Sequence, residues 1–179
     1  MRSDHLDPLS VAGAYEELWK WTRTYAHTRE SMRRYVEEAL AHARAGSALP
    51  FVTIDRASGK IIGSTRFANF DHENRHVEIG WTWITPAFQR THVNTEAKYL
   101  MLCHAFEEWG CARVELKTDV LNEKSRNAMS RMGAKEEGVL RKHVLAHGGR
   151  WRDTIYYSIL DTEWPEVKSF LVKSLAREE

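Results

Sequence analysis

The feature that most constrains the fold is a change of periodicity between residues 77 and 110. Residues 77–84 alternate between apolar and polar positions, which predicts a half-buried strand that ends before Pro86. The alternation puts Val77, Ile79, Trp81 and Trp83 on one face and Glu78, Gly80 and Thr82 on the other. From Asn94, apolar residues recur at helical spacing until Gly110. We therefore expect a strand, a polar loop and a helix in direct succession.

The remaining elements predict one mixed α/β domain, spanning residues 1–179 and built on a single central sheet. Two helices are expected within residues 12–44, broken near residues 22–28. A β-hairpin is expected at residues 49–54 and 61–67, with its turn at residues 57–60. Further strands are predicted at residues 113–118, 139–145 and 154–160, and further helices at residues 123–132 and 164–175.

Bulk composition excludes several classes of protein. The net charge of +1 gives no electrostatic reason to expect a nucleic acid or a membrane surface as partner. No run of about 18 apolar residues and no signal peptide is found, and the two cysteines, Cys103 and Cys111, are interpreted as free thiols in a reducing cytoplasm. The histidines show no metal-ligand spacing, so we expect no metal.

Two predicted helix starts carry polar residues suited to binding. A helix N-terminus offers unpaired N–H groups and partial positive charge, which suits a phosphate. The first start follows Arg90 and Thr91 and continues through His92, Val93, Asn94 and Thr95. At the second, Asn122 can cap the helix and Ser125 lies on its first turn. Each pattern alone also fits a helix that is simply capped.

The order of the motifs resembles the GCN5-related N-acetyltransferases, in their RimJ/RimL-like branch. The resemblance covers residues 6–160 and rests on eight segments. They are VEIGW (77–81), QRTHVNTEA (89–97), AFE (105–107), RVEL (113–116), NEKSR (122–126), MGA (132–134), EGVLR (137–141) and DT (153–154). The family resemblance implies a mostly antiparallel sheet with helices on both sides and a V-shaped splay between its central strands.

The same resemblance implies acetyl-CoA as the cofactor. The pantetheine arm is expected to pair with the backbone near Trp83 and Ile84, and Asn122 and Ser125 are expected to lie beside it. The loop from Arg90 to Thr95 would hold the pyrophosphate. The family usually has glycines at two positions of this loop, where this chain has His92 and Asn94. Glycine allows close backbone approach and positive φ, so these replacements put the pyrophosphate contact in question.

Three residues are candidates for proton transfer. Ser125 matches a serine that is a candidate acid for the departing thiolate in Rim-type enzymes. Glu78 is a candidate base for the amine, with a structural carboxylate as the alternative. In one Rim-type pattern a glutamate occurs near the position of Val144, which cannot accept a proton. The adjacent His143 is a further candidate, although strand alternation aims it at the opposite face, and water alone remains an alternative.

The acceptor is left open by the sequence. The leading hypothesis is an N-terminal α-amine of a protein or peptide, and the alternatives are a small amine or a non-catalytic CoA-binding module. Arg150 and Asp153 are expected to form a structural ion pair. Residues 5–9 are interpreted as the end of a shortened first strand, an edge that a second subunit could complete. A homodimer is therefore expected.

Overall fold

The computed structural model describes residues 1–176, which form one six-stranded sheet. The strands are β1 (Ala48–Ile54), β2 (Ile61–Asp71), β3 (His76–Ile84), β4 (Arg113–Asp119), β5 (Lys135–Leu145) and β6 (Trp151–Leu160). Their order is β1-β2-β3-β4-β6-β5, and only β3 and β4 run parallel. This mixed, mostly antiparallel sheet confirms the predicted fold class.

Within residues 1–176, five α-helices cover the two faces of the sheet. They are α1 (Leu6–Ala12), α2 (Arg29–Arg44), α3 (His92–Cys103), α4 (Glu123–Arg131) and α5 (Trp164–Leu175). Helix α2 begins at a reciprocal cap in which the Thr28 and Ser31 side chains each accept a hydrogen bond from the other residue's backbone N–H. None of the helices in residues 1–176 has both the length and the apolar composition needed to cross a bilayer.

Apolar clusters cover both faces of the sheet. On one face, here called the α3 face, Val77 and Ile79 of β3 pack with residues of α3, α4 and α5. On the other, the α2 face, α1 and α2 cover a cluster that includes Trp19, Tyr35 and Trp83. Trp83 Nε1 donates to the Tyr35 hydroxyl at 3.3 Å, and the Trp19 and Trp83 ring centroids are 5.2 Å apart. These aromatic contacts fix the segment before α2 onto the sheet.

The N-terminal prediction is wrong in two respects. Residues 5–9 are not the end of a strand, because Ser3–His5 form a 3₁₀ turn and Leu6–Ala12 form α1. The first of the two predicted helices therefore precedes residues 12–44, and residues 13–28 contain only the 3₁₀ turn Glu16–Leu18. Leu9 is completely buried, so the apolar pattern here reflects helix packing. The argument for a dimer built on a shortened strand loses its basis.

A bulge in β3 overturns the predicted alternation. Trp81 and Thr82 stand opposite the single β2 residue Thr65, and Trp81 has a φ of 50°. The extra residue exchanges the two faces from that point onward. Val77 therefore packs on the α3 face but Trp83 packs on the α2 face, although the sequence predicted one shared face for them.

Other elements match their predictions apart from their ends. Strand β2 continues four residues beyond its predicted end at residue 67, β5 begins at Lys135 and β6 begins at Trp151. The predicted helix at residues 94–110 is α3 followed by the π-helical turn His104–Glu108. Helix α5 has the predicted bounds, with Pro165 in its first turn.

Candidate active site

The two parallel strands diverge and leave a cleft in the sheet. β3 and β4 pair only through His76 with Arg113, Val77 with Val114 and Glu78 with Glu115. Beyond Glu78, β3 pairs with β2 alone, so the edge of Ile79–Ile84 that faces the cleft has no partner strand among residues 1–176. The expected V-shaped splay is therefore present. Trp83 and Ile84, the expected pantetheine contacts, lie on this unpaired edge.

Helix α3 begins directly beyond the open end of β3. Thr91 is its N-cap, and the Thr91 hydroxyl accepts from Val93 N at 3.4 Å and donates to Phe88 O at 2.8 Å. Val93 packs on Ile62 and Ile84, which anchors the helix start to the strand end. Since the first turn of a helix leaves backbone donors without partners, this end presents N–H groups to the cleft.

The replaced glycine positions adopt ordinary helical backbone. His92 and Asn94 are the first and third residues of α3, and neither has positive φ. The residue with left-handed backbone in this loop is Arg90, at φ 64°, and its side chain is exposed. The chain therefore reaches the helix start without a glycine at either position. The side chains of His92 and Asn94 fill space near the first turn that glycines would leave empty. Thr95, on the same turn, is half-buried.

Helix α4 begins at the open end of β4. Asn122 Oδ1 accepts from Ser125 N at 3.2 Å, as expected of a cap, and this bond does not use the amide nitrogen. Ser125 lies on the first turn with its side chain half-buried. Because β3 and β4 are parallel, the starts of α3 and α4 lie at the same end of the cleft. A crevice at the carboxyl ends of two diverging parallel strands is a typical ligand site in α/β sheets.

These elements fit acetyl-CoA. The unpaired edge of β3 can hydrogen-bond an extended, amide-containing arm, and the start of α3 with Arg90 can bind a pyrophosphate. Both contacts come from backbone groups that the fold leaves available. The glycine replacements do not remove them.

Glu78 occupies the closed end of the cleft on the α2 face. It is 3% exposed, and its Oε2 accepts from Asn69 Nδ2 at 2.6 Å and from Lys117 Nζ at 2.7 Å. Its other oxygen, Oε1, leans over Gly80, where any Cβ would come within 2.8 Å of it. Glu78 therefore has one oxygen in structural contacts and one left for another partner. Lys117, which the sequence did not single out, is the cation of this pair.

His143 lies on the same face as Glu78. An irregularity in β5 between Leu140 and Val144, with Lys142 at φ 46°, breaks the alternation that would have turned His143 away. Its ring centroid is 5.9 Å from that of Tyr156, over which Lys117 Nζ also lies. Burial lowers the pKa of His143, and the nearby positive charges of Lys117, Arg152 and Arg23 lower it further. In its neutral form the imidazole can accept a proton.

The expected ion pair between Arg150 and Asp153 does not form. Arg150 Nη2 binds the completely buried Asp119 at the end of β4, and Asp153 Oδ1 instead accepts from Lys142 N at 2.7 Å. The first contact joins the β5–β6 hairpin to the end of β4, and the second lies within the hairpin. Spacing along the chain could not reveal them, because the partners lie on different strands.

One ionisable side chain near the cleft gave no signal in the sequence. Lys98 of α3 is 4% exposed, and its Nζ donates to the hydroxyls of Thr65 at 3.0 Å and Thr82 at 2.6 Å. Burial lowers the pKa of Lys98 from 10.5 to about 7. A lysine on a helix usually extends into solvent. Lys98 can be buried because the bulge in β3 brings the Thr82 hydroxyl to the α3 face, where it accepts a hydrogen bond from Nζ.

Comparisons with known proteins agree with this geometry. Residues 1–135 match the family model described as "Acetyltransferase (GNAT) domain". A GCN5-related N-acetyltransferase structure from Brucella melitensis superposes with a TM-score of 0.90 at 32% identity, covering 98% of this chain and 79% of that one. Mycobacterium smegmatis RimJ in complex with CoA-disulfide gives a TM-score of 0.82 at 25% identity, covering 97% and 86%.

A sequence relative in Bacillus subtilis carries a ribosomal name. It is "Putative ribosomal N-acetyltransferase YdaF", 38% identical over 106 residues, and the match spans 59% of this chain and 57% of the relative. A second Bacillus subtilis relative, "Uncharacterized N-acetyltransferase YnaD", is 28% identical over 83% of this chain and 92% of its own length. From the family model, the cleft and these relatives, the chain belongs to the GNAT family of acetyl-CoA-dependent acetyltransferases, in its RimJ/RimL-like branch.

Proposed function

We propose that this protein transfers the acetyl group of acetyl-CoA to an N-terminal α-amine of a protein or peptide. The observation that carries the proposal is the position of a surface cavity. It lies on the opposite face of the sheet from α3 and α4, whose N-terminal ends border the cofactor cleft. This cavity of about 510 Å³ lies on the α2 face, between residues 23–28, α2 and the β5–β6 hairpin. The ribosomal name of one relative and the RimJ structure support a protein acceptor.

The residues of the cleft divide into those that bind and those that move protons. The β3 edge at Trp83 and Ile84, the α3 start and Asn122 would hold acetyl-CoA, whose thioester supplies the activated acetyl group. Ser125 holds a hydroxyl proton on the first turn of α4 and is our candidate donor to the departing thiolate.

The attacking amine must lose a proton, and two groups on the α2 face can receive it. Glu78 Oε1 is the oxygen not used by Asn69 and Lys117, and the absent side chain of Gly80 leaves room beside it. His143 lies near Tyr156, and its neutral imidazole can accept a proton directly or through water. Since an α-amine has a pKa of ~8, either group has a modest task at neutral pH.

A small polyamine or aminoglycoside is the second candidate acceptor, and the lining of the cavity weighs against it. Sites for such cations need several carboxylates, whereas Glu38 is the one carboxylate among the lining residues in the described part of the chain. A non-catalytic CoA-binding module is the third alternative. The helical backbone of His92 and Asn94 removes one argument for it, because neither position needs the positive φ that glycine allows.

The first experiment measures acetyl-CoA binding by calorimetry on wild-type protein and Arg90→Ala. Micromolar binding that Arg90→Ala weakens would support the cofactor site, and no binding at millimolar acetyl-CoA would overturn it. Arg56→Ala, in the β1–β2 turn, is the matched control for loss of an exposed arginine. Transfer to N-terminal peptides is then measured by thiol release against spermidine. Turnover with spermidine alone would refute the peptide proposal.

The cellular setting follows from the same proposal. A ribosomal acceptor, as named for one relative, would place the protein in the cytoplasm. The homodimer remains a prediction to be tested by light scattering, since the N-terminal argument for it is removed by helix α1.

A further inference from the structure

The cavity on the α2 face has an unusual charge balance. Its lining consists of Arg23, Thr24, Tyr25, His27, Thr28, Ser31, Arg34, Tyr35, Glu38 and His147. Two arginines thus face one carboxylate among the lining residues. The Tyr25 and His147 rings stack in parallel with centroids 4.1 Å apart, which joins the segment before α2 to the β5–β6 hairpin and closes one side.

The two arginines of the lining differ in what they already bind. Arg34 forms an ion pair with Glu30 one helical turn away, at 2.6 Å. Arg23 forms no ion pair with any residue in 1–176. Arg23 is an exposed side chain that lines the cavity together with His147 of the β5–β6 hairpin, and its charge helps to lower the pKa values of His143 and Arg152 on that hairpin. Of the two lining arginines, Arg23 is therefore the one not already held in an ion pair.

A second arginine, Arg152, forms no direct ion pair with any residue in 1–176, although the charges of Asp119 and Glu78 act on it. Arg152 of β6 is 8% exposed, and its Nε atom has no hydrogen-bond partner among the described residues. The nearby carboxylate of Asp119 is already bound by Arg150. A buried guanidinium without a full set of partners is costly, and a bound carboxylate would offset that cost. Arg23 on the cavity wall and Arg152 on the strand of the adjoining hairpin thus both have donors to spare.

We infer that the amine acceptor presents a carboxylate close to its amine and that Arg23, with Arg152 behind it, recognises this carboxylate. The inference rests on the proposed function and narrows it to peptides with acidic residues directly after the N-terminus. A guanidinium donates in a planar fork that matches a carboxylate, which explains why arginine rather than lysine suits this position. A free acidic amino acid offers the same chemistry and is distinguished by the experiment.

The test compares matched peptides with the same N-terminal serine whose second and third residues are Asp-Glu, Asn-Gln or Lys-Lys. We expect kcat/KM for the acidic peptide to exceed that for the neutral one about threefold to tenfold, because Arg23 is exposed and solvent weakens a charge-assisted hydrogen bond. Arg23→Gln should remove most of this preference, and Arg23→Glu should favour the Lys-Lys peptide. Arg33→Gln, on the exposed side of α2 and outside the cavity, should keep the wild-type preference.

Calorimetry separates failure of the inference from failure of the proposed function. Acetyl-CoA affinity should be the same in wild type and the Arg23 variants. Equal kcat/KM for the three peptides, or a preference for Lys-Lys, would overturn the inference while leaving N-terminal acetylation intact. Acetylation of free aspartate or glutamate with no peptide turnover would support recognition of a carboxylate by Arg23. It would refute the proposal that the acceptor is a peptide. If no amine is acetylated, equal binding of the acidic and neutral peptides to the CoA complex would also overturn the inference.

Discussion

Replacing Lys98 should change how the stability of the protein depends on pH. The side chain is 4% exposed, and its Nζ donates to two threonine hydroxyls, those of Thr65 and Thr82. These hydroxyls are themselves 2.8 Å apart, so they retain each other as partners when the amine is removed. Lys98→Met keeps the length of the side chain and fills the same space with an apolar group. The substitution therefore isolates the cost of the buried amine.

The magnitude follows from the two protonation states. Burial lowers the pKa of Lys98 from 10.5 in the unfolded chain to about 7 in the fold. Between pH 7 and 10.5 the Lys98 amine is protonated in the unfolded chain but mostly neutral in the fold. The free energy of unfolding therefore rises as pH increases through this window and falls as pH decreases toward 7. At 1.36 kcal/mol for each pKa unit, the whole window corresponds to about 5 kcal/mol. From pH 7.5 to 9.5 the expected gain is about 2–3 kcal/mol.

Urea unfolding at fixed ionic strength measures this directly. The unfolding free energy of the wild type should rise by about 2–3 kcal/mol more than that of Lys98→Met between pH 7.5 and 9.5, because other titrating groups are common to both. Lys173→Met, which removes an exposed lysine of α5, should follow the wild type. Parallel profiles for the wild type and Lys98→Met would show that Lys98 is charged in the fold and refute the reasoning.

Other substitutions test individual contacts by the same unfolding measurement. Asn122→Ala should cost about 1 kcal/mol because it removes a helix cap, whereas Ser125→Ala should stay within about 0.5 kcal/mol and lower kcat if its hydroxyl donates a proton. Glu78→Gln should cost about 2 kcal/mol because it leaves Lys117 without its counterion, and adding Lys117→Met should restore part of it. Gly63→Ala should cost about 1–3 kcal/mol, since its Cβ would lie 2.3 Å from a backbone oxygen of β3.

The parts of the fold that the sequence predicted are those set by local chemistry. Pro165 marks the start of α5, and the spacing of apolar residues marks its length. The cap at Asn122 is a hydrogen bond from Ser125 N, only three positions along the chain. The strand, loop and helix that begin the cofactor cleft follow from alternation up to Ile84 and helical spacing from Asn94. Each signal lies within one turn or one strand, where side-chain pattern and backbone geometry are directly coupled.

The parts that the sequence could not predict depend on pairing between distant segments. Nothing local marks Trp81 as a bulge, because its positive φ is imposed by the register with β2. That single inserted residue decides which face receives Trp83 and allows Lys98 to reach Thr82. The position of His143 likewise follows from an irregular register in β5. The sequence therefore assigned residues to the wrong face of the sheet where a strand is irregular, because side chains no longer alternate with a period of two there.

The sheet explains why binding of the two substrates should be separable by mutation. Helices α3 and α4, whose starts would hold acetyl-CoA, pack on one face, whereas the cavity proposed for the amine lies on the other. β3 stays paired with β2, so the divergence of β3 from β4 beyond Glu78 offers the direct passage between them. Variants at the α3 start should therefore change acetyl-CoA affinity without changing acceptor preference. Variants at Arg23 should do the reverse, and variants of the groups proposed for proton transfer, such as Glu78 and Ser125, should lower kcat for every acceptor.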